Sequence, residues 1–252
     1  MIKKLLTFSL CLLSAATSFA NDITLDADEQ VEYHQKEQKL VAKGNAKASK
    51  ENLSITADTL IGYYNPQIKN KISRIEAHKN VNMITPDATI TGDEMIYDIK
   101  DDTATLTGNP AKIKNPDFTI TSQGPIIYYQ TLQKATAENN VKAVDKQGNH
   151  VYADLMTAWL KKDKKGELVL DKIDIEKNVK IISKDATVTA LKGTYHARLG
   201  KIFLYENVVI NQQGNILKGD KAETDLNTSI SKLLSTEKSG RVRGVFKEKK
   251  KE

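Results

Sequence analysis

The chain has 252 residues, of which 28% are charged and 39% hydrophobic, and a formal net charge of +6. This balance excludes an integral membrane protein and a chain too polar to build a core. Cys11 is the single cysteine, which excludes a disulfide framework and a cysteine-built zinc site.

The N-terminus reads as a secretory signal. Met1-Ile2-Lys3-Lys4 is a short positive region, Leu5 to Leu13 an apolar one, and Ser18 and Ala20 are the small residues that a signal peptidase requires. The apolar stretch is shorter than the roughly 20 residues a membrane span needs. Leu10 stands before Cys11 where a lipobox needs a small residue. Residues 1–20 are therefore expected to be a cleaved signal peptide, removing Cys11 and leaving a soluble periplasmic protein. Residues 21–246 are expected to form one elongated β unit, and 247–252 a disordered basic tail.

The body repeats. An aliphatic, a polar and a small residue, usually followed by Asp, recur seven times at steps of 29 to 37 residues. The copies begin at Leu25, Ile55, Ile90, Ile120, Val151, Val188 and Leu217. The acid is replaced twice, by Gln123 and Leu191. Aromatics follow at Tyr33, Tyr63, Tyr97, Tyr128, Trp159 and Tyr195. Between the copies stand Asn-centred turns, among them Gly44-Asn45-Ala46, Lys79-Asn80-Val81, Lys177-Asn178-Val179 and Glu206-Asn207-Val208. Asn and Gly tolerate the left-handed backbone that tight turns use. The polarity period is two: Ile173 and Ile175 alternate with Asp174 and Glu176. This predicts strands with one buried face. The expectation is an all-β, repeat-built antiparallel stack of short strands, in which the seven aliphatic residues form one apolar ladder. The small residues two places on share its side, where they let two walls approach or the chain bend. On the residues alone, that ladder reads as a closed dry core.

These marks resemble the LptA/OstA-like family of periplasmic lipopolysaccharide transport proteins. Three segments carry the resemblance: Ile23 to Asp28; Gln38 to Asp58; and Gly214 to Asp220 with the closing Gly240 to Phe246. The chain carries about two more repeats than a typical member. The resemblance implies a β-jellyroll opened into a V-shaped groove that holds the acyl chains of lipid A. It implies Ile23, Leu25, Ile55, Ile90, Ile120, Ile181, Val188 and Tyr195 as groove residues. It also implies head-to-tail self-association and contacts with an inner-membrane bitopic Lpt component and the outer-membrane translocon. The partner edges would carry Ile23 and Leu25 at one end and Arg241, Val242, Val245 and Phe246 at the other.

No catalytic motif is present, and no cofactor, metal or nucleic acid is expected. His34, His78, His150 and His196 show no ligand spacing. The repeated Asp residues recur at one structural position, which points to turn or bulge hydrogen bonds rather than acid–base pairs. The four arginines are too few for a nucleic-acid face. Two other readings stay open: a periplasmic scaffold that binds proteins through its edges without lipid, and a polysaccharide-active enzyme on a stacked β frame.

Overall fold

The computed structural model describes residues 23–65, 71–225, 230–235 and 241–246. The expected signal peptide and basic tail lie outside them. Every regular element among the described residues is a β-strand, and the strand pairings described below are all antiparallel. The chain divides into two compact units, with the boundary between Ala137 and Glu138.

The N-terminal unit holds β1 (Thr24–Asp26), β2 (Gln30–His34), β3 (Lys39–Lys50), β4 (Leu53–Asn65), β5 (Lys71–Ile84) and β6 (Thr89–Asp98). It continues through β7 (Thr103–Thr107), β8 (Ala111–Lys114), β9 (Phe118–Ser122) and β10 (Ile126–Tyr129) to the start of β11 (Lys134–Asp145). Strands β3 to β6 pair in sequence. At one side, β1 and β2 share the length of β3; beyond β6, β7 and β8 share the length of their neighbour in the same way. The C-terminal unit holds the rest of β11, then β12 (His150–Lys162), β13 (Leu168–Ile182), β14 (Ala186–His196), β15 (Lys201–Gln212), β16 (Asn215–Asp225), β17 (Ile230–Leu234) and β18 (Arg243–Val245). Here β17 and β18 share the length of β16.

The sequence suggests short strands joined at Asn turns. The strands instead run 10 to 15 residues in β3–β6 and β12–β16, and the Asn marks lie inside them. Lys79 and Asn80, Lys177 and Asn178, and Glu206 and Asn207 take paired positive φ angles, as do Gly44 and Asn45. At each pair the register slips, between His78 and Val81, Glu176 and Val179, Tyr205 and Val208, and Lys43 and Ala46. Two left-handed residues in a row bend a strand without reversing it, so each long strand has two arms. In β7–β8 the same mark, Gly108-Asn109-Pro110, separates the two strands fully; Pro110 has no N–H for the ladder.

The bends hold the repeated marks together. The Asn45 side-chain amide donates to Asp28 at 2.8 Å, Asn80 to Asp58 at 2.9 Å and Asn178 to Asp154 at 2.7 Å. The Asn109 backbone N–H donates to Asp93 at 3.1 Å. The residue after each bend enters the core: Ala46, Val81, Val141, Val179 and Val208 are all at most 2% exposed. Small residues stand opposite because there is no room. A Cβ on Gly92 would meet the Thr107 carbonyl oxygen at 2.5 Å, and one on Gly219 the Leu233 side chain at 2.8 Å.

Candidate functional site: a two-walled apolar groove

Register places the expected ladder in one row. In the N-terminal unit Leu25, Ala48, Ile55, Met83, Ile90, Ile113 and Ile120 are successive cross-strand partners. In the C-terminal unit the row runs Val151, Ile181, Val188, Ile210, Leu217 and Gly244. The repeat therefore marks alternate strands, and Ala48, Met83, Ile113 and Ile210 fill the rungs between.

A second row lies on the other arm. Tyr33, Leu40, Gly62, Ile75, Tyr97, Ala104 and Tyr128 are successive partners in the N-terminal unit. Ala158, Ile173, Tyr195, Ile202 and Thr224 follow the same order in the C-terminal unit. The two rows stand eight residues apart in β3, β5, β13 and β15 but seven apart in β4, β6, β12 and β14, so in these four strands side-chain parity shifts by one across the bend. Tyr97 and Tyr195, seven residues after Ile90 and Val188, thus return to the ladder's side. Tyr63 and Trp159, eight residues after their marks, point away. Tyr63 faces Glu76 at 3.5 Å, and Trp159 donates to Asp174 at 2.7 Å.

In the N-terminal unit the two rows face each other across a cavity of about 200 Å³. Ile23, Leu25, Ala48 and Ile55 line it from the first arm, and Leu40, Leu60, Gly62, Tyr64, Ile72 and Ile75 from the second. Gly62 widens it: a Cβ there would meet nothing within 4 Å. Polar groups enter only through Ser49, Lys50 and Tyr64. Such a lining offers an apolar guest contact without hydrogen-bonding partners, at roughly 0.8 kcal/mol per buried CH₂.

Of the residues singled out from sequence, Ile23, Leu25 and Ile55 thus meet at one cavity. Ile90, 3% exposed, closes the row deeper in the core, and Ile120 continues it half-buried. Ile181 and Val188 are direct cross-strand partners in the C-terminal unit, and Tyr195 is Ile173's. Burial lifts the Tyr195 phenol above its ordinary range. The second wall, Leu40, Leu60, Ile72 and Ile75, was not singled out, although Leu60-Gly62-Tyr64 carries the period-two signal. The C-terminal edge residues Arg241, Val242, Val245 and Phe246 are all exposed, Phe246 by 72%. No group of three or more His, Cys, Asp or Glu among the described residues is placed to hold a metal.

In the N-terminal unit, bent antiparallel strands thus stack equivalent residues into two apolar walls that face each other across the cavity. Residues 24–134, which include the cavity, match the family described as LptA/(LptD N-terminal domain) LPS transport protein. The match covers less than half of the chain. No curated protein matches the chain. Among solved structures it is similar to LptH of Pseudomonas aeruginosa, described as the LptA homologous periplasmic component of the lipopolysaccharide transport device. The identity is 13%, over 90% of this chain and 96% of that one, with a TM-score of 0.23.

Proposed function

We propose that the protein is a periplasmic lipopolysaccharide carrier. It shelters lipid A acyl chains between the two apolar rows while sugar and phosphate stay in water. The observation that carries this reading is the cavity whose two walls are aliphatic rows from opposite arms of the same bent strands. A dry core would have closed it; Gly62 keeps the second wall low where Leu40 and Ile75 flank it.

The carrier joins other β modules through its edges. At one edge β1 and β2 expose Ile23, Val31 and Tyr33 beside Asp26, Asp28 and Glu29. At the other, β17 and β18 expose Leu234, Val245 and Phe246 beside Lys232, Arg241 and Arg243. Short strands with unpaired edges invite strand addition, and the opposite charges favour one edge meeting the other. A second copy, an inner-membrane Lpt component and the outer-membrane translocon are the partners of this reading.

The test is equilibrium binding of fully acylated and deacylated lipopolysaccharide to the mature protein. Acylated ligand that binds at least about thirtyfold more tightly, roughly 2 kcal/mol, supports the groove. Equal affinities would contradict it and favour a scaffold that binds proteins only.

A further inference from the structure

In β3 the ladder side of the first arm ends on a charge. The last rung stands four residues after the buried residue that follows each Asn mark. It is Lys50 after Ala46, Thr85 after Val81 and Asn115 after Ala111, and in the C-terminal unit Asp145 after Val141, Ser183 after Val179 and Gln212 after Val208. Most of these residues close their own turns. Thr85 accepts from the backbone N–H of Ala88 at 2.9 Å, Asn115 from Phe118 at 2.7 Å and Asp145 from Asn149 at 2.9 Å. Ser183 donates to the Ala186 carbonyl oxygen at 3.3 Å, and beside Gln212 the Asn211 side chain accepts from Gly214 at 3.2 Å. Lys50 has no acceptor atom and cannot serve its turn in this way. It shares the parity of Ala48, as its partner Leu53 shares that of Ile55, and both line the cavity. Half-buried Lys50 is the one charged residue among the described residues of that lining, and its ammonium makes no ion pair or hydrogen bond with any described residue.

We propose that Lys50 holds the anionic head, a phosphate or a carboxylate, of an amphiphile whose single acyl chain fills this cavity. The inference rests on the groove reading and deepens it, because it makes Lys50 the residue that selects for head charge. Three observations select the occupant. An apolar cavity of about 150 Å³ takes up one benzene, so one of about 200 Å³ suits one chain rather than several side by side. The lining holds no carboxylate to repel an anion, and Glu51, next in the chain, is exposed in the turn and outside the lining. Lys50 ends β3, and Tyr64 is next to last in β4, so the polar part of the lining lies at the outer ends of the two arms. A lysine stem packs along apolar surface and keeps its ammonium in water, which sets the charge where a head would emerge. A charge-assisted hydrogen bond to phosphate or carboxylate is roughly twice as strong as a neutral one, whereas an uncharged lipid gains only the burial of its chain.

The experiment titrates the mature protein with dodecyl phosphate, laurate and dodecyl maltoside by calorimetry, each below its micelle concentration. The chains match in length and the heads differ in charge. Each variant is first checked for parental circular dichroism and melting temperature. Both anionic amphiphiles should bind at least about tenfold more tightly than the maltoside, as expected for one hydrogen bond to a charged group. K50M keeps an apolar stem and removes the charge. It should narrow that gap to less than about twofold and leave maltoside affinity within about twofold of the parent. K47M, on the opposite face of the same strand, should keep the gap. A parent without the gap, K50M that keeps it, or K47M that loses as much overturns the proposal. Inorganic phosphate that binds as tightly as dodecyl phosphate overturns it too, since the site would then take the free ion. Fully acylated lipopolysaccharide titrated in parallel separates this proposal from the groove reading. Lipopolysaccharide binding without any preference for head charge overturns the role of Lys50 and leaves the groove standing. Failure to bind lipopolysaccharide and all three amphiphiles overturns both.

Discussion

The Asn80 side-chain amide donates a 2.9 Å hydrogen bond to Asp58 across the bend between β4 and β5. Asn80 sits at φ 51° and follows Lys79 at φ 61°. The two marks that recur along the sequence are therefore two halves of one device. The acid of one strand accepts from the Asn of the next, and the Asn holds the left-handed backbone that turns the following Val into the core.

This device sets the first prediction. Asn80→Ala loses the hydrogen bond and puts a Cβ where the left-handed backbone is costly, for about 1–2 kcal/mol in all. Asp58→Ala loses only the acceptor, for about 0.5–1 kcal/mol. A double-mutant cycle by urea unfolding should return a coupling clearly above zero. Additive losses would mean that the contact contributes nothing.

The β14–β15 bend offers the reverse experiment. Leu191 stands where five of the seven copies carry Asp, and it is 41% exposed. The neighbours Lys192 and Glu206 form an ion pair at 3.0 Å instead. Leu191→Asp restores the acceptor opposite Asn207 and should be neutral to stabilising by about 0.5 kcal/mol, read as a shift in urea midpoint. Loss of more than about 1 kcal/mol would show that the ion pair has replaced the device.

The ladder was legible because one aliphatic position recurs with period-two neighbours. Cross-strand pairing then places Leu25, Ile55, Ile90 and Ile120 in one row. The Asn marks were legible as left-handed backbone but misread as chain reversals. Positive φ serves a hairpin and a mid-strand bend alike, and the acceptor that distinguishes them lies 22 residues away at Asp58. The aromatic series divided for the same reason. In β12 and β14 parity changes across the bend, so a one-residue difference in spacing sends Tyr195 inward and Trp159 outward. Gly62 carried no signal in sequence, since its role is the volume it leaves in the second wall.

Glycine at two positions separates packing from function. Gly92→Ala drives a Cβ against the Thr107 carbonyl oxygen and the Leu106 side chain, and should cost about 2 kcal/mol or more. Gly62→Ala meets open space and should leave stability within about 0.5 kcal/mol. Gly62→Phe fills the cavity from the second wall. It should keep the fold and reduce acylated lipopolysaccharide binding about tenfold or more. Unchanged binding in a folded Gly62→Phe protein would place the lipid elsewhere.

Asp174 supplies a pH prediction. Burial raises its pKa, but hydrogen bonds from Lys172 at 2.6 Å, Trp159 at 2.7 Å and Thr194 at 3.0 Å outweigh it and hold the carboxyl below its ordinary value. A carboxyl depressed in the folded state contributes stability above its unfolded pKa, near 3.9. That contribution is lost as pH falls through the lower folded value. Trp159 is the only tryptophan, so its fluorescence reports this contact. Wild type should show an emission change below about pH 4 that Asp174→Asn lacks. The same acid transition in both proteins would assign it to another group.

The central claim is that the ladder side of the strands meets acyl chains. Photocrosslinking to lipopolysaccharide tests it most directly, with the probe at Ile55, Ile181 or Tyr195 and, as opposite-parity controls, at Thr56 or Lys180. The account predicts lipid crosslinks at Ile55, Ile181 and Tyr195 and none at the controls. Equal labelling of both sets, or none in either, in a folded protein would contradict it.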